Sequence, residues 1–135
     1  MKGPLVDANV VLRFLLQDHP EHSPRATAFF RRVGSGDVRA YLSDSVIFES
    51  AFTLERFYKH PKDRVREAMV SLLDQRSLLI ANRARWRRVF NLYVDYNIPL
   101  GDAMNVEFME RNGVAEIISF DKDFDRVPAI TRIEP

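Results

Sequence analysis

Four carboxylates of this chain stand at positions where chemistry is worth asking about. Asp7 follows the short apolar run Leu5-Val6. Asp121 comes directly after residues 115–120 (AEIISF), and Asp102 lies just behind Pro99 and Gly101. Glu49 lies inside residues 46–52, a run otherwise fit for burial. Each has an ordinary explanation when taken singly. Asp7 and Asp102 suit helix or turn caps, and Asp121 with Asp123 and Asp125 suits a hydrophilic loop. Glu49 admits three readings: a ligand lining a metal pocket, a partner of an arginine, or a residue on the solvent edge of its helix. A buried glutamate with no partner would be costly or would take up a proton. Taken together, carboxylates converging on one rim repel each other and raise one another's pKa. A hard divalent cation relieves that repulsion, and oxygen-only donors select Mg²⁺ or Mn²⁺ over zinc. Such a site activates water and stabilises the charge that develops in phosphodiester cleavage.

The elements that must position these groups can be traced along the chain. Leu5-Val6 reads as a short strand, followed by a helix over residues 9–17 with Val10, Val11, Phe14 and Leu15 apolar. Pro20 and Pro24 open a second helix through Ala26, Phe29, Phe30 and Val33, closed at Gly34 to Gly36. Residues 38–42 (VRAYL) form a second strand. Ser43 or Asp44 caps a helix over residues 46–58, and Pro61 starts another through Val65, Met69, Leu72 and Leu73. Residues 78–81 are a weak strand candidate, and residues 83–96 are helical, with Trp86, Val89, Phe90 and Tyr93 at helical spacing. A further helix runs from Gly101-Asp102 to Asn112-Gly113. Residues 115–120 are the clearest strand, and residues 130–133 a last one. Strands separated by helices require crossovers, hence a mostly parallel sheet covered by helices in a single domain, residues 1–135. In such folds ligands lie beyond the carboxyl ends of the strands, where Asp7 and Asp121 both fall.

The chain has 135 residues, no cysteine, 46% hydrophobic and 29% charged residues, and a net charge of +1. That length buries a core without staples, and the lack of cysteine excludes disulfide scaffolds and thiolate chemistry. Asp7, Asn9 and Arg13 interrupt the apolar start, so neither a signal peptide nor a membrane span is expected, and a cytoplasmic location is. The charge is unevenly spread. Residues 1–55 carry −1, residues 56–88 carry +7 and residues 89–135 carry −5, and 16 of the 20 basic residues are arginine. A basic stretch of this kind suits a phosphate backbone, although it also suits an ordinary solvated surface. Arg83, Arg85, Arg87 and Arg88 around Trp86 form its densest part, open to RNA, a second subunit or solvent. Trp86 itself reads as core. His19 and His22 sit three apart, but Pro20 between them and the lack of nearby ligands favour a loop over a metal site. His60 reads as an inter-helix residue. Phe29-Phe30 and residues 52–57 read as core before interface. No phosphate-binding glycine loop and no serine-nucleophile elbow is present.

The segments LVDANVVLRFL, Glu49 in the third helix, PLGDAMNVEFMERNG and IISFDKDF resemble, in order and context, the PIN domain family, and more narrowly its VapC-type toxins. The resemblance spans nearly the whole chain. It implies a three-layer α/β/α sandwich with a mostly parallel sheet. It also implies an acidic quartet of Asp7, Glu49, Asp102 and Asp121, with Asp123 as a peripheral acid, Asn9 orienting Asp7, and Ser119 where the family often has threonine. The implied activity is Mg²⁺- or Mn²⁺-dependent endoribonucleolytic cleavage of RNA. The implied partners are a small VapB-like antitoxin protein and a second copy of the chain. Two rivals stand beside this expectation: a PIN module that binds nucleic acid without cutting it, and a phosphatase of another α/β fold. The latter's usual D-x-D is broken by asparagine at position 9.

Overall fold

A computed structural model describes residues 3–135. The chain divides into two compact units, Met1–Arg83 and Ala84–Pro135.

In the first unit, Leu5 bridges Tyr41 in parallel, and Val6 N–H donates to the Tyr41 carbonyl at 2.9 Å. Strand β1 (Ala40–Tyr41) then pairs in parallel with β2 (Leu78–Leu79), with Ala40 opposite Leu78 and Tyr41 opposite Leu79. These strands are shorter than the apolar runs suggest, because the chain is recruited elsewhere at each end. Ser43 already serves as the N-cap of helix α3 (Asp44–Arg56), its Oγ accepting the Val46 N–H at 3.3 Å. Beyond β2 the chain turns through residues 81–82 into the next helix.

Four helices make up the rest of this unit. Helix α1 (Ala8–Leu16) buries Ala8, Val11 and Leu12 and stops at Gln17, whose left-handed φ of 52° breaks the helical run. Helix α2 (His22–Gly34) buries Ser23, Ala26, Phe30 and Val33, a stripe at helical spacing. The two helices meet where Phe14 stacks on Phe30 at 4.4 Å and Ser23 Oγ donates to the Arg13 carbonyl at 2.8 Å. His19 is part of this joint. Its Nδ1 accepts the N–H groups of Glu21 (3.2 Å) and His22 (2.8 Å), and its ring stacks on His22 at 4.1 Å. His19 thus caps the start of α2 through its side chain. Helix α3 buries Val46, Ile47, Ser50, Ala51 and Leu54, and helix α4 (Lys62–Leu73) buries Val65, Met69, Leu72 and Leu73. Arg83 fastens the end of α4 to β2, donating to the carbonyls of Leu73 and Leu78.

In the second unit, helix α5 (Arg83–Asp95) buries Trp86, Val89, Phe90, Leu92 and Tyr93. Trp86 and Phe90 rings lie 5.8 Å apart, so the tryptophan is core as expected. Helix α6 (Leu100–Asn112) closes at Gly113, whose φ of 66° is easy only for glycine. Strand β3 (Glu116–Ile118) pairs in parallel with β4 (Thr131–Ile133), Ile117 opposite Arg132. A 3₁₀ helix, Lys122–Arg126, lies between them. Sequence periodicity gave no sign of it, since five residues with one buried phenylalanine make no stripe.

One expectation is corrected. Phe52 and Phe57 are not core: they are 45% and 75% exposed on the outer side of α3 and just beyond it. Arg85 and Arg88 each face a glutamate of α6. Arg88 forks onto Glu110 at 2.8 and 2.9 Å, which raises its pKa, and Arg85 approaches Glu107 at 3.7 Å. Glu107 is 7% exposed and also holds Arg111 at 3.1 Å, so its burial is compensated by two guanidinium groups.

Candidate functional site

In the second unit, local rules bring three carboxylates together. Asp102 occupies the first turn of α6, where Pro99 at the N-cap position starts the helix. A carboxylate there faces the positive end of the helix. Asp121 caps the 3₁₀ helix, its Oδ1 accepting the Asp123 N–H at 2.9 Å. Asp121 is itself held from behind by Ser119, whose Oγ accepts the Asp121 N–H at 2.9 Å. The tight turn places Asp123 beside Asp121 instead of across the loop. One oxygen from each of Asp102, Asp121 and Asp123 lies within 4.8 Å of the others.

The electrostatics follow from this proximity. The Asp123 N–H, then a hydrogen bond with the Asp102 carboxyl group, hold the Asp121 carboxyl below its ordinary value. Arg126 adds a smaller effect of the same sign, and it lies 3.6 Å from Asp123. Carboxyl groups this close share a proton or a cation. The three-oxygen cluster contains no nitrogen or sulfur donor, so a hard divalent cation suits it. Asp125 is not part of the cluster and pairs instead with Arg132 at 3.0 Å.

The first unit positions the other expected residues. Asp7 stands at the N-cap position of α1, with φ −79° and ψ 154°, yet its side chain makes no cap hydrogen bond. The backbone does that work, the Asp7 carbonyl accepting the Val10 and Val11 N–H groups. The exposed carboxylate forms no hydrogen bond or ion pair with any described residue, so the cap reading does not account for it. It opens onto a groove of about 860 Å³ that Asn9 also lines.

Glu49 is exposed on α3. Its run is apolar in sequence, but the helix turns every fourth residue of that run outward. Ser45, Glu49, Phe52 and Arg56 form the exposed stripe opposite the buried Val46-Ser50-Leu54 line. It makes no ion pair with a described residue, which removes the arginine-partner reading.

The structure thus gathers Asp102, Asp121 and Asp123 in one unit and sets Asp7 and Glu49 on the other. Asp123 is more central than the sequence suggests. The available signal was the D-K-D spacing, which a 3₁₀ turn compresses. Ser119 keeps a hydroxyl at the site by holding the backbone of Asp121.

Comparison with known proteins agrees in extent with these elements. The PIN domain family profile matches residues 5–130. A VapC ribonuclease of Aquifex aeolicus (strain VF5) is 22% identical over 123 residues, which cover 91% of this chain and 90% of that protein.

Proposed function

The chain belongs to the PIN domain family, a three-layer α/β/α fold, and from that premise we propose that it is a divalent-metal-dependent endoribonuclease of the VapC toxin type. The observation that carries this reading is the all-oxygen cluster of Asp102, Asp121 and Asp123. Asp7 and Glu49 complete the acidic set, and residues 1–135 act as one PIN-like domain. The cation is Mg²⁺ or Mn²⁺, in keeping with the donor chemistry. When bound, it supplies charge that polarises the phosphodiester and lowers the pKa of water.

The chain's own residues do the rest. Asp102, Asp121 and Asp123 hold the cation. Asp121 stays ionised because the Asp123 N–H favours its charged form, which keeps it available as a ligand. Ser119 restrains the Asp121 backbone and so limits how far the ligand oxygens can drift. Asp7, spared from capping α1, serves as a further ligand or as acceptor for the proton of the attacking water. Asn9, two residues on, orients it.

The partners follow the same reading: an RNA substrate, a small VapB-like antitoxin that covers the acidic pocket, and a second copy of the chain, in the cytoplasm. Among the described residues no helix is long and apolar enough to cross a membrane.

The test is incubation of RNA with Mg²⁺ or Mn²⁺, comparing the wild type with Asp7→Asn and Asp102→Asn. Metal-dependent cleavage that both substitutions abolish is the expected result. Cleavage surviving both, or missing in the wild type on every RNA tried, overturns the reading. Metal and RNA binding without any cleavage would favour the non-cutting module.

A further inference from the structure

The groove beside Asp7 has a composition unlike that of a catalytic rim. Asp7 is its sole acid, while Arg13, Arg25, His19 and His22 all line it. Two of these four are already engaged. Arg13 binds Asp18 at 3.1 Å and the Tyr58 hydroxyl at 3.0 Å, and His19 Nδ1 holds the start of α2. Arg25 is exposed and forms no hydrogen bond or ion pair with any described residue. It lies on the α2 face that also carries His22, Ala26 and Phe29, spaced so that all four border the groove. Ala26 is buried and small, which lowers the floor between Arg25 and Phe29. Phe29 is half-buried at the groove wall, packed edge-on against Phe30 at 5.3 Å.

An uncommitted guanidinium and a half-buried aromatic ring on one helix face match the phosphate and base of a single nucleotide. Guanidinium pairs with the phosphate in a fork, and an aromatic ring stacks on any base without reading its sequence. The volume lies within the usual range of ligand pockets. We propose that this α1–α2 groove is a binding subsite for one nucleotide of a single-stranded RNA, with Arg25 on its phosphate and Phe29 under its base. The proposal rests on the ribonuclease reading above, which supplies the occupant. It adds two substrate-binding residues outside the acidic set.

Arg25→Glu, Phe29→Ala and Phe29→Tyr are compared with wild type and with Arg32→Glu. The last is a charge reversal of the same kind on α2, at an exposed residue that does not line the groove. Binding of a fluorescent single-stranded oligoribonucleotide is followed by anisotropy with Ca²⁺ in place of the catalytic ion, and cleavage is followed with Mn²⁺. Arg25→Glu is expected to weaken binding roughly 10-fold or more and to lower the slope of log affinity against log salt by about 1. Phe29→Ala is expected to weaken binding roughly 10-fold, and Phe29→Tyr to restore it. The cleavage defect should fall on KM, with kcat nearly kept, while Arg32→Glu stays within about two-fold. If the wild type cleaves RNA but Arg25→Glu and Phe29→Ala bind and cleave as it does, the subsite is overturned and the groove passes to a peptide partner. If the wild type neither binds nor cleaves RNA, the ribonuclease reading itself fails.

Discussion

Ser119 and Asp121 show how much of the acidic cluster depends on small local bonds. Ser119 Oγ holds the Asp121 N–H, and Asp121 Oδ1 holds the Asp123 N–H, each at 2.9 Å. Removing the first link frees the ligand without removing it. Ser119→Ala is therefore expected to lower Mn²⁺ affinity about 10-fold, measured by calorimetry, with the melting temperature nearly unchanged. Direct ligands should cost more, since support groups alone are worth about 10- to 100-fold. Asp102→Asn should thus reduce cleavage at least about 100-fold in a gel assay. Glu49 offers a cleaner case, because it is exposed and makes no ion pair with a described residue. Glu49→Gln should change stability by less than about 0.5 kcal/mol in a urea titration. Any fall in cleavage then reports on ligation and not on folding, and wild-type cleavage in this variant would remove Glu49 from the acidic set.

At the scale of elements, caps and turns decide where the helices begin and hence where the acids point. Ser43→Ala should cost about 1 kcal/mol, read from the urea midpoint, because Val46 N–H loses its acceptor at the start of α3. All six helices were legible in the sequence, because each carries a buried stripe at helical spacing and most have a proline, serine or glycine at one end. The strands were placed correctly but drawn too long, since apolar runs do not reveal that Ser43 leaves the ladder to cap α3. Of the site, Asp102 and Asp121 could be located from their element ends. The exposure of Glu49 was not legible, because the mostly apolar run of residues 46–52 conceals which side of the helix faces out. The centrality of Asp123 was hidden in a five-residue 3₁₀ turn that has no periodicity to detect.

For the whole molecule, the uneven charge is less a map of function than it first suggests. The arginines of the +7 segment include Arg83, spent on carbonyls, and Arg85 and Arg88, held by glutamates. The uncommitted Arg25 lies in the stretch whose net charge is only −1. Metal binding, by contrast, should register on the entire fold. At a hundred times its Kd, Mn²⁺ is expected to stabilise the chain by about 2.7 kcal/mol through mass action. Differential scanning fluorimetry should show the rise in the wild type and lose it in Asp102→Asn.

The brevity of the ladders has a consequence in a different observable. β1 and β2 contribute two residues each, and β3 and β4 three. So few ladder amides are available that the slowest deuterium uptake should belong to the helices. The buried faces of α3 and α5 would then report global opening, while the strands exchange through small local fluctuations.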